Sequence, residues 1–179
     1  MVETISFLLP YLVLISHVVF VVLFLALIFK DSWGRKLGEL AGKYAITWAF
    51  LVSLTAVLGS LFYSEIMGFE PCVLCWWQRI FMYPLAIIFG VAIWKKVTSA
   101  FAFAIPFAFL IVLLAAYHFY VYLGGTSILP CTALGGACSK IYVMAFGYIT
   151  IPFMSLTVAL YILLFAWAGS IYEKNHPHS

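Results

Sequence analysis

Pro71-Cys72-Val73-Leu74-Cys75-Trp76-Trp77-Gln78-Arg79 stands at the junction between a short polar turn and an apolar run that continues to Trp94. Counted from Ile80, that run is too short to cross a bilayer; started at Cys75 or Trp76, it reaches the ~20 residues a transmembrane helix needs. The stretch is therefore read as the opening turn of a membrane span, with Cys75 inside it. Two cysteines separated by two residues can close a small disulfide ring or ligate a metal, so the spacing alone leaves the chemistry open.

Outward from this stretch, the 179 residues are 66% hydrophobic and only 8% charged, with mean hydropathy +1.16. Such a chain has too little polar surface to cover a water-soluble globule, so it is an integral membrane protein. The net charge of +3 gives no support for nucleic-acid binding, and the placement of the charges matters more than their sum.

Ile5 to Phe29 form an almost uninterrupted apolar run, long enough to cross a core of ~30 Å at ~1.5 Å per residue. A cleaved signal peptide is disfavoured, because Met1-Val2-Glu3-Thr4 has no basic n-region and no small-residue cleavage pattern precedes Lys30. A retained first span is expected. Lys30 to Tyr44, basic and punctuated by Gly34, Gly38 and Gly42, are expected as a connecting loop. A second span runs from Ala45 to Ile66, and the third ends at Trp94 before the basic turn Lys95-Lys96-Val97-Thr98-Ser99. The fourth, Ala100 to Leu123, holds Pro106, which is expected to kink it by removing a backbone donor. Gly124 to Ala145 form a long loop with Cys131, Cys138 and Lys140, and a fifth span is expected over Phe146 to Ile171. The chain divides into an N-terminal span with its basic cytoplasmic loop (1–44), a four-helix core (45–171) and a polar cytoplasmic tail (172–179), with no internal repeat. The expected fold is an all-α integral membrane protein, a four-helix transmembrane bundle plus one additional N-terminal helix.

Charge sets the expected orientation. Lys30, Arg35, Lys36, Lys43, Lys95, Lys96 and Lys174, seven of the nine basic residues, fall on one side of the membrane and mark it as cytoplasmic. Arg79 and Lys140 fall at the other side with Glu3, Glu65 and Glu70. The amino terminus is then outside and the carboxyl terminus cytoplasmic. Both cysteine pairs, Cys72 with Cys75 and Cys131 with Cys138, lie on the side where disulfides persist.

A cysteine in the first turn of a helix meets unpaired backbone donors and the positive end of the macrodipole, which favours its thiolate. Arg79 lies four residues after Cys75 and so shares its face one turn deeper. A lipid-facing Arg costs roughly 2.5 to 3.5 kcal/mol at mid-span, which favours a protein-lined pocket over exposure, with snorkelling to the headgroups as the plainer reading. Trp76 and Trp77 read equally well as interfacial belt residues. For the cysteines the plainer readings are two structural disulfides or a four-sulfur zinc site. Zinc is disfavoured by the oxidising side and by the lack of a histidine in the loops, so no metal is expected. Two-residue spacing favours a strained, readily reduced ring of the kind used in redox exchange.

This run, followed by Tyr83-Pro84, resembles the signature of the disulfide bond formation protein B family, DsbB and its BdbC branch. The second pair in the next outer loop, and Ile149-Thr150-Ile151-Pro152-Phe153-Met154-Ser155-Leu156, resemble the BdbC branch in particular. The resemblance covers roughly Ala45 to Trp167.

The resemblance implies an electron relay in the bacterial inner (plasma) membrane, in the class of protein-disulfide:quinone oxidoreductases. A reduced extracytoplasmic thioredoxin-fold protein of the DsbA type would form a mixed disulfide with Cys131, whose partner is Cys138. Cys138 would exchange with Cys72, and Cys75 as thiolate would face a membrane quinone, ubiquinone or menaquinone, held near Arg79. Thiol oxidants of the DsbA type sit near about −120 mV, so a quinone, and not glutathione, is the implied acceptor. His118, near the outer end of the fourth span, is implied in the quinone pocket, with a histidine satisfied by a neighbouring helix as the plainer reading. His17 lies deeper in the first span, and the mismatch in depth argues against a haem shared between the two.

Two features depart from the family pattern. Only six residues separate Cys131 from Cys138, where some members carry a longer segment, and the first span exceeds the four-helix core. The alternatives are a vitamin K epoxide reductase-like oxidoreductase, whose motif order is reversed, and a membrane scaffold with two structural disulfides.

Overall fold

A computed structural model describes residues 2–29, 32–127 and 138–176, with side chains from Phe7 onward. Cys131 lies outside the described residues. Six α-helices follow one another: α1 Val2–Ile28, α2 Ser32–Lys43, α3 Ala45–Leu61, α4 Val73–Lys95, α5 Ala100–Tyr122 and α6 Ile151–Asn175. A π-helical turn, Phe62–Ile66, prolongs α3. Five of these segments are long and apolar enough to cross a membrane, α2 being the exception, and no strand is formed among the described residues.

The core of the bundle lies between α3, α4, α5 and α6. On α5 the buried face is Ala100, Ala104, Ala108, Ile111 and Ala115, a small-residue stripe at helical spacing. In lipid, helices gain little from burying apolar surface, and small side chains let backbones approach for van der Waals packing. The same stripe continues into His118 and Tyr122, so the packing that seats α5 also carries His118 inward. On α4 the buried face is Leu74, Gln78, Met82, Leu85, Phe89 and Ala92, which likewise turns Gln78 into the bundle. Pro106 and Pro84 sit inside α5 and α4 without ending either helix.

The residues expected as a basic loop, Lys30 to Tyr44, are instead largely the helix α2. Its three glycines, four residues apart, are the reason. A Cβ on Gly42 would lie 2.6 Å from both the Ala168 carbonyl oxygen and the Tyr172 Cβ, so glycine is what allows α2 to lie against α6. A Cβ on Gly38 would press on Leu27 of α1 at 3.2 Å. Read as loop punctuation, these glycines are in fact the contact face of a helix. Helix α1 is largely exposed on its outward side, through Phe7, Leu12, Ile15 and Val18. Two polar contacts pin it to α6: His17 Nε2 meets Thr157 Oγ1 at 2.9 Å, and the Tyr161 hydroxyl donates to the Ser16 carbonyl oxygen.

The fifth span also differs from expectation. It begins at Ile151, not Phe146, because Phe146 and Gly147 take positive φ of 53° and 77° in a tight turn closed between Ala145 and Ile149. Thr150 caps the helix, its Oγ1 accepting from the Phe153 amide at 3.3 Å, and Pro152 fits the first turn, where no donor is needed. At the other end α6 runs on to Asn175, so much of what was expected as a polar tail is its last turn, with Lys174 placed to suit the helix dipole.

Candidate active site

Helix α4 opens at Val73 with Cys72 as its N-cap residue, in extended conformation, its carbonyl accepting from the Trp76 amide at 3.1 Å. The start lies two to three residues earlier than the apolar run suggested, and it puts both cysteines at the helix N-terminus. Both are free thiols, and their sulfurs share an S–H hydrogen bond at 3.4 Å. Cys72 is buried and Cys75 half-buried.

Cys138 is disulfide-bonded and buried, packed in one cluster with Cys72, Leu74 and Val121, with Cys75 and Tyr117 against it. His118 joins the two cysteine regions. Its Nε2 lies 3.6 Å from Cys72 Sγ and 3.3 Å from the Cys138 carbonyl oxygen, while its Nδ1 meets the Gln78 side-chain amide nitrogen at 2.9 Å. The histidine is thus held by a neighbouring helix on one nitrogen and faces the redox pair with the other.

The hydrogen bond with Cys75, and then His118, hold the Cys72 thiol well below its ordinary 9.0, at about 4, against burial, which raises it. In the reduced pair, then, Cys72 at the N-cap is held toward its thiolate, beside the Cys75 to which the sequence pointed. His118 adds to this from α5, a neighbour that the order of residues along the chain does not reveal. The donor atoms of Cys72, Cys75 and His118 lie within 4.8 Å of one another. They could hold a thiophilic cation only while both thiols are reduced, since a Cys72–Cys75 disulfide removes two of the three donors.

Arg79 lies on the Cys75 side of α4, turned toward α3. Its Nε donates to Ser60 Oγ at 3.0 Å and its Nη2 to the Ser60 carbonyl oxygen at 3.1 Å. The guanidinium also lies 5.2 Å from the Trp76 ring centroid, and the Tyr83 hydroxyl meets Ser60 Oγ at 3.2 Å. Ser60 and Gln78, which hydrogen-bond Arg79 and His118, are contacts that the sequence reading missed. The only signal for them was periodicity: Gln78 and Tyr83 lie three residues after Cys75 and four after Arg79, positions that helix geometry makes neighbours.

Cys72, Cys75, Arg79, His118 and Cys138 all line one cavity of about 650 Å³, which extends from this end of the bundle between α1, α3 and α6 along apolar walls such as Leu12, Val19 and Val52. His17 has different partners, Thr157 and Tyr148, and belongs to the α1–α6 contact.

A bundle of apolar spanning helices with a dithiol and a disulfide-bonded cysteine packed together at one end defines a multi-pass membrane protein of thiol–disulfide chemistry. The family described as "Disulfide bond formation protein DsbB" matches residues 42–169, and the chain belongs to that family. A probable disulfide formation protein C of Bacillus cereus is 40% identical over 119 residues, covering 64% of this chain and 83% of the relative. Disulfide bond formation protein C of Bacillus subtilis (strain 168) is also 40% identical, covering 65% of this chain and 86% of the relative. A probable disulfide formation protein of Metapseudomonas resinovorans is 37% identical over 121 residues, covering 66% of this chain and 83% of the relative. No solved structure matches the chain. The family, and the Bacillus relatives of the BdbC branch, assign the protein to disulfide bond formation in a membrane, as a thiol oxidoreductase.

Proposed function

We propose that the protein is a quinone-dependent thiol oxidase that re-oxidises an extracytoplasmic thioredoxin-fold protein of the DsbA type. The observation that carries this reading is the common cavity: one apolar space of about 650 Å³ is bordered by the Cys72–Cys75 dithiol, by the disulfide-bonded Cys138 and by the Arg79 guanidinium. Its shape and lining suit a quinone, an apolar ring and tail with a few polar groups at one end. Tyr63 fits as well, because its side chain lines the same cavity and its buried hydroxyl has no hydrogen-bond partner among the described residues. Arg79 would hold the quinone head, with Cys75 offered to it and His118 bordering the same space. When bound, a quinone supplies an acceptor for two electrons and two protons.

The protein's own part is a relay of four thiol–disulfide exchanges. In the first, a thiolate of the reduced partner attacks Cys131, the Cys131–Cys138 bond opens and Cys138 leaves as thiolate. In the second, Cys138 attacks Cys72, the Cys72–Cys75 bond opens and Cys75 leaves as thiolate. In the third, the partner's second thiolate attacks its own sulfur in the mixed disulfide and Cys131 leaves as thiolate. In the fourth, Cys131 attacks Cys138, the Cys138–Cys72 bond opens and Cys72 leaves as thiolate. Each step makes one S–S bond and breaks one, so charge and electrons balance. The packing of Cys138 against Cys72 in one buried cluster supports their direct exchange. We place the cysteine end of the bundle outside the bacterial plasma membrane and the basic end, with α2, in the cytoplasm, as the positive-inside rule directs. Residues 45–171 then form the redox core and α1 with α2 an added N-terminal unit.

The test is to mix the purified protein with a reduced thioredoxin-fold protein and ubiquinone or menaquinone. Quinol is expected from the wild type and none from Cys75→Ser; absence of quinol from the wild type with either quinone refutes the proposal and leaves the scaffold reading.

A further inference from the structure

His118 is 2% exposed, and its ring has three polar neighbours of known character. One of them, the Cys138 carbonyl oxygen 3.3 Å from Nε2, can only accept a hydrogen bond. Nε2 therefore carries the ring proton. A neutral imidazole has only one N–H, so Nδ1 is a bare acceptor. Gln78, itself 5% exposed, places its amide nitrogen 2.9 Å from Nδ1, and an amide nitrogen can only donate. The two contacts require the same tautomer independently, one from the loop and one from α4.

We infer that Gln78 is a positioning residue that holds His118 in its Nε2–H tautomer and thereby keeps a hydrogen-bond donor aimed at the Cys72 sulfur. The inference rests on the reading of Cys72 as a redox sulfur and extends it. When a disulfide to Cys72 opens with Cys72 leaving, the electron pair of the broken S–S bond stays on Cys72 while the attacking thiolate takes its place in the new bond. A donor at Nε2 stabilises that charge with no proton transferred. A carboxylate in place of the Gln78 amide would draw the proton to Nδ1, and Nε2 would then present a lone pair to the thiolate, which repels it.

Other groups face the same space. Cys75 and Arg79 do so from α4, Tyr122 from α5 and Tyr63 from the π-turn. The loops contribute Glu70, Lys140 and Tyr142. Tyr122 packs edge-on to the His118 ring at 6.0 Å, and none of these groups hydrogen-bonds to it.

The test uses the full chain in detergent with the first cysteine pair reduced. Nitrogen NMR of isotope-labelled histidine reads the His118 tautomer, and alkylation by iodoacetamide against pH, with Cys72 identified by peptide mass, reads its thiolate. Wild type is expected to show a bare Nδ1. Gln78→Glu, which keeps the size and presents a carboxylate acceptor, is expected to protonate Nδ1 and to raise the alkylation midpoint of Cys72 by about one pH unit, about tenfold in thiolate. A protonated Nδ1 in the wild type, or a Gln78→Glu protein with tautomer and midpoint unchanged, overturns the inference; a side chain that merely filled space would lower stability and move neither. Should Gln78→Glu fail to fold, the wild-type spectrum decides, and a protonated Nδ1 there overturns the inference. Quinol formation is scored on the same wild-type preparation. Its absence counts against the quinone reading alone, and its presence beside an unmoved Gln78→Glu spectrum counts against Gln78 alone.

Discussion

Ser60 is the residue through which the rest of the bundle holds Arg79, so Ser60→Ala is the sharpest probe of whether the guanidinium needs to be held. The substitution removes one acceptor, Oγ, which takes hydrogen bonds from Arg79 Nε at 3.0 Å and from the Tyr83 hydroxyl at 3.2 Å. It spares the bond from Nη2 to the Ser60 backbone and the contact with Trp76. A hydrogen bond to a charged group contributes roughly 1.5 to 3 kcal/mol, and partial exposure of Arg79 brings this to about 1. The neutral bond from Tyr83 adds about 1 kcal/mol. If all of the resulting ~2 kcal/mol were felt in the placement of Arg79, quinone binding would weaken about thirtyfold. Because two contacts remain, the expected rise in the quinone KM is between about threefold and thirtyfold. Steady-state quinol formation, with quinone and the thiol protein varied separately, measures it. The KM for the thiol protein is expected to stay put, because Ser60 lies on α3 and touches neither Cys72 nor Cys138. An unchanged quinone KM, or equal rises in both constants, refutes the reasoning.

Arg79→His shortens the side chain and surrenders the fork that reaches Ser60, so the quinone KM should rise further than in Ser60→Ala; an unchanged value in the same assay refutes the role given to Arg79. The Cys72 thiol is depressed from its ordinary 9.0 to about 4, so its thiolate stabilises the reduced protein fully above pH 9, and that contribution is lost as pH falls toward 4. Melting curves of the reduced protein should therefore show stability rising from acid to alkaline pH across that window, a trend that Cys72→Ser flattens; parallel trends in the two proteins refute it. Gly42→Ala forces a methyl group to within 2.6 Å of the Ala168 carbonyl oxygen, so α2 should lift from α6 at a cost of about 1 to 3 kcal/mol. Faster tryptic cleavage at Lys36 and Lys43 and a lower melting temperature are expected, and a wild-type profile would show that α2 is not seated by this contact.

Residue order and chemistry alone made the spans legible. An apolar run must bury its backbone polar groups in its own helix when lipid surrounds it, and that requirement is met locally. The dithiol at a helix start, and the step from Cys75 to Arg79, were readable for the same reason. Where the chain is amphipathic, reading by composition failed. Gly34, Gly38 and Gly42 carry the same letters whether they break a helix or let one helix press on another, and only the position of Ala168 on α6 decides between the two. The start of the last helix was misread by a few residues, because Phe146 is apolar enough to belong to a span, and the left-handed turn that excludes it is a backbone matter.

The sequence by itself determined the class of the protein, the five apolar helices long enough to span and the dithiol at a helix start, because hydropathy and motif spacing are properties of neighbours along the chain. Only the tertiary structure decided which side chains meet the Cys72 sulfur and what holds the arginine. His118 comes from α5 and Gln78 from α4, forty residues apart, and Ser60 reaches Arg79 from nineteen residues earlier. Pairings at such distances depend on how helices pack, and the small-residue faces that set the packing do not announce which polar groups they bring together.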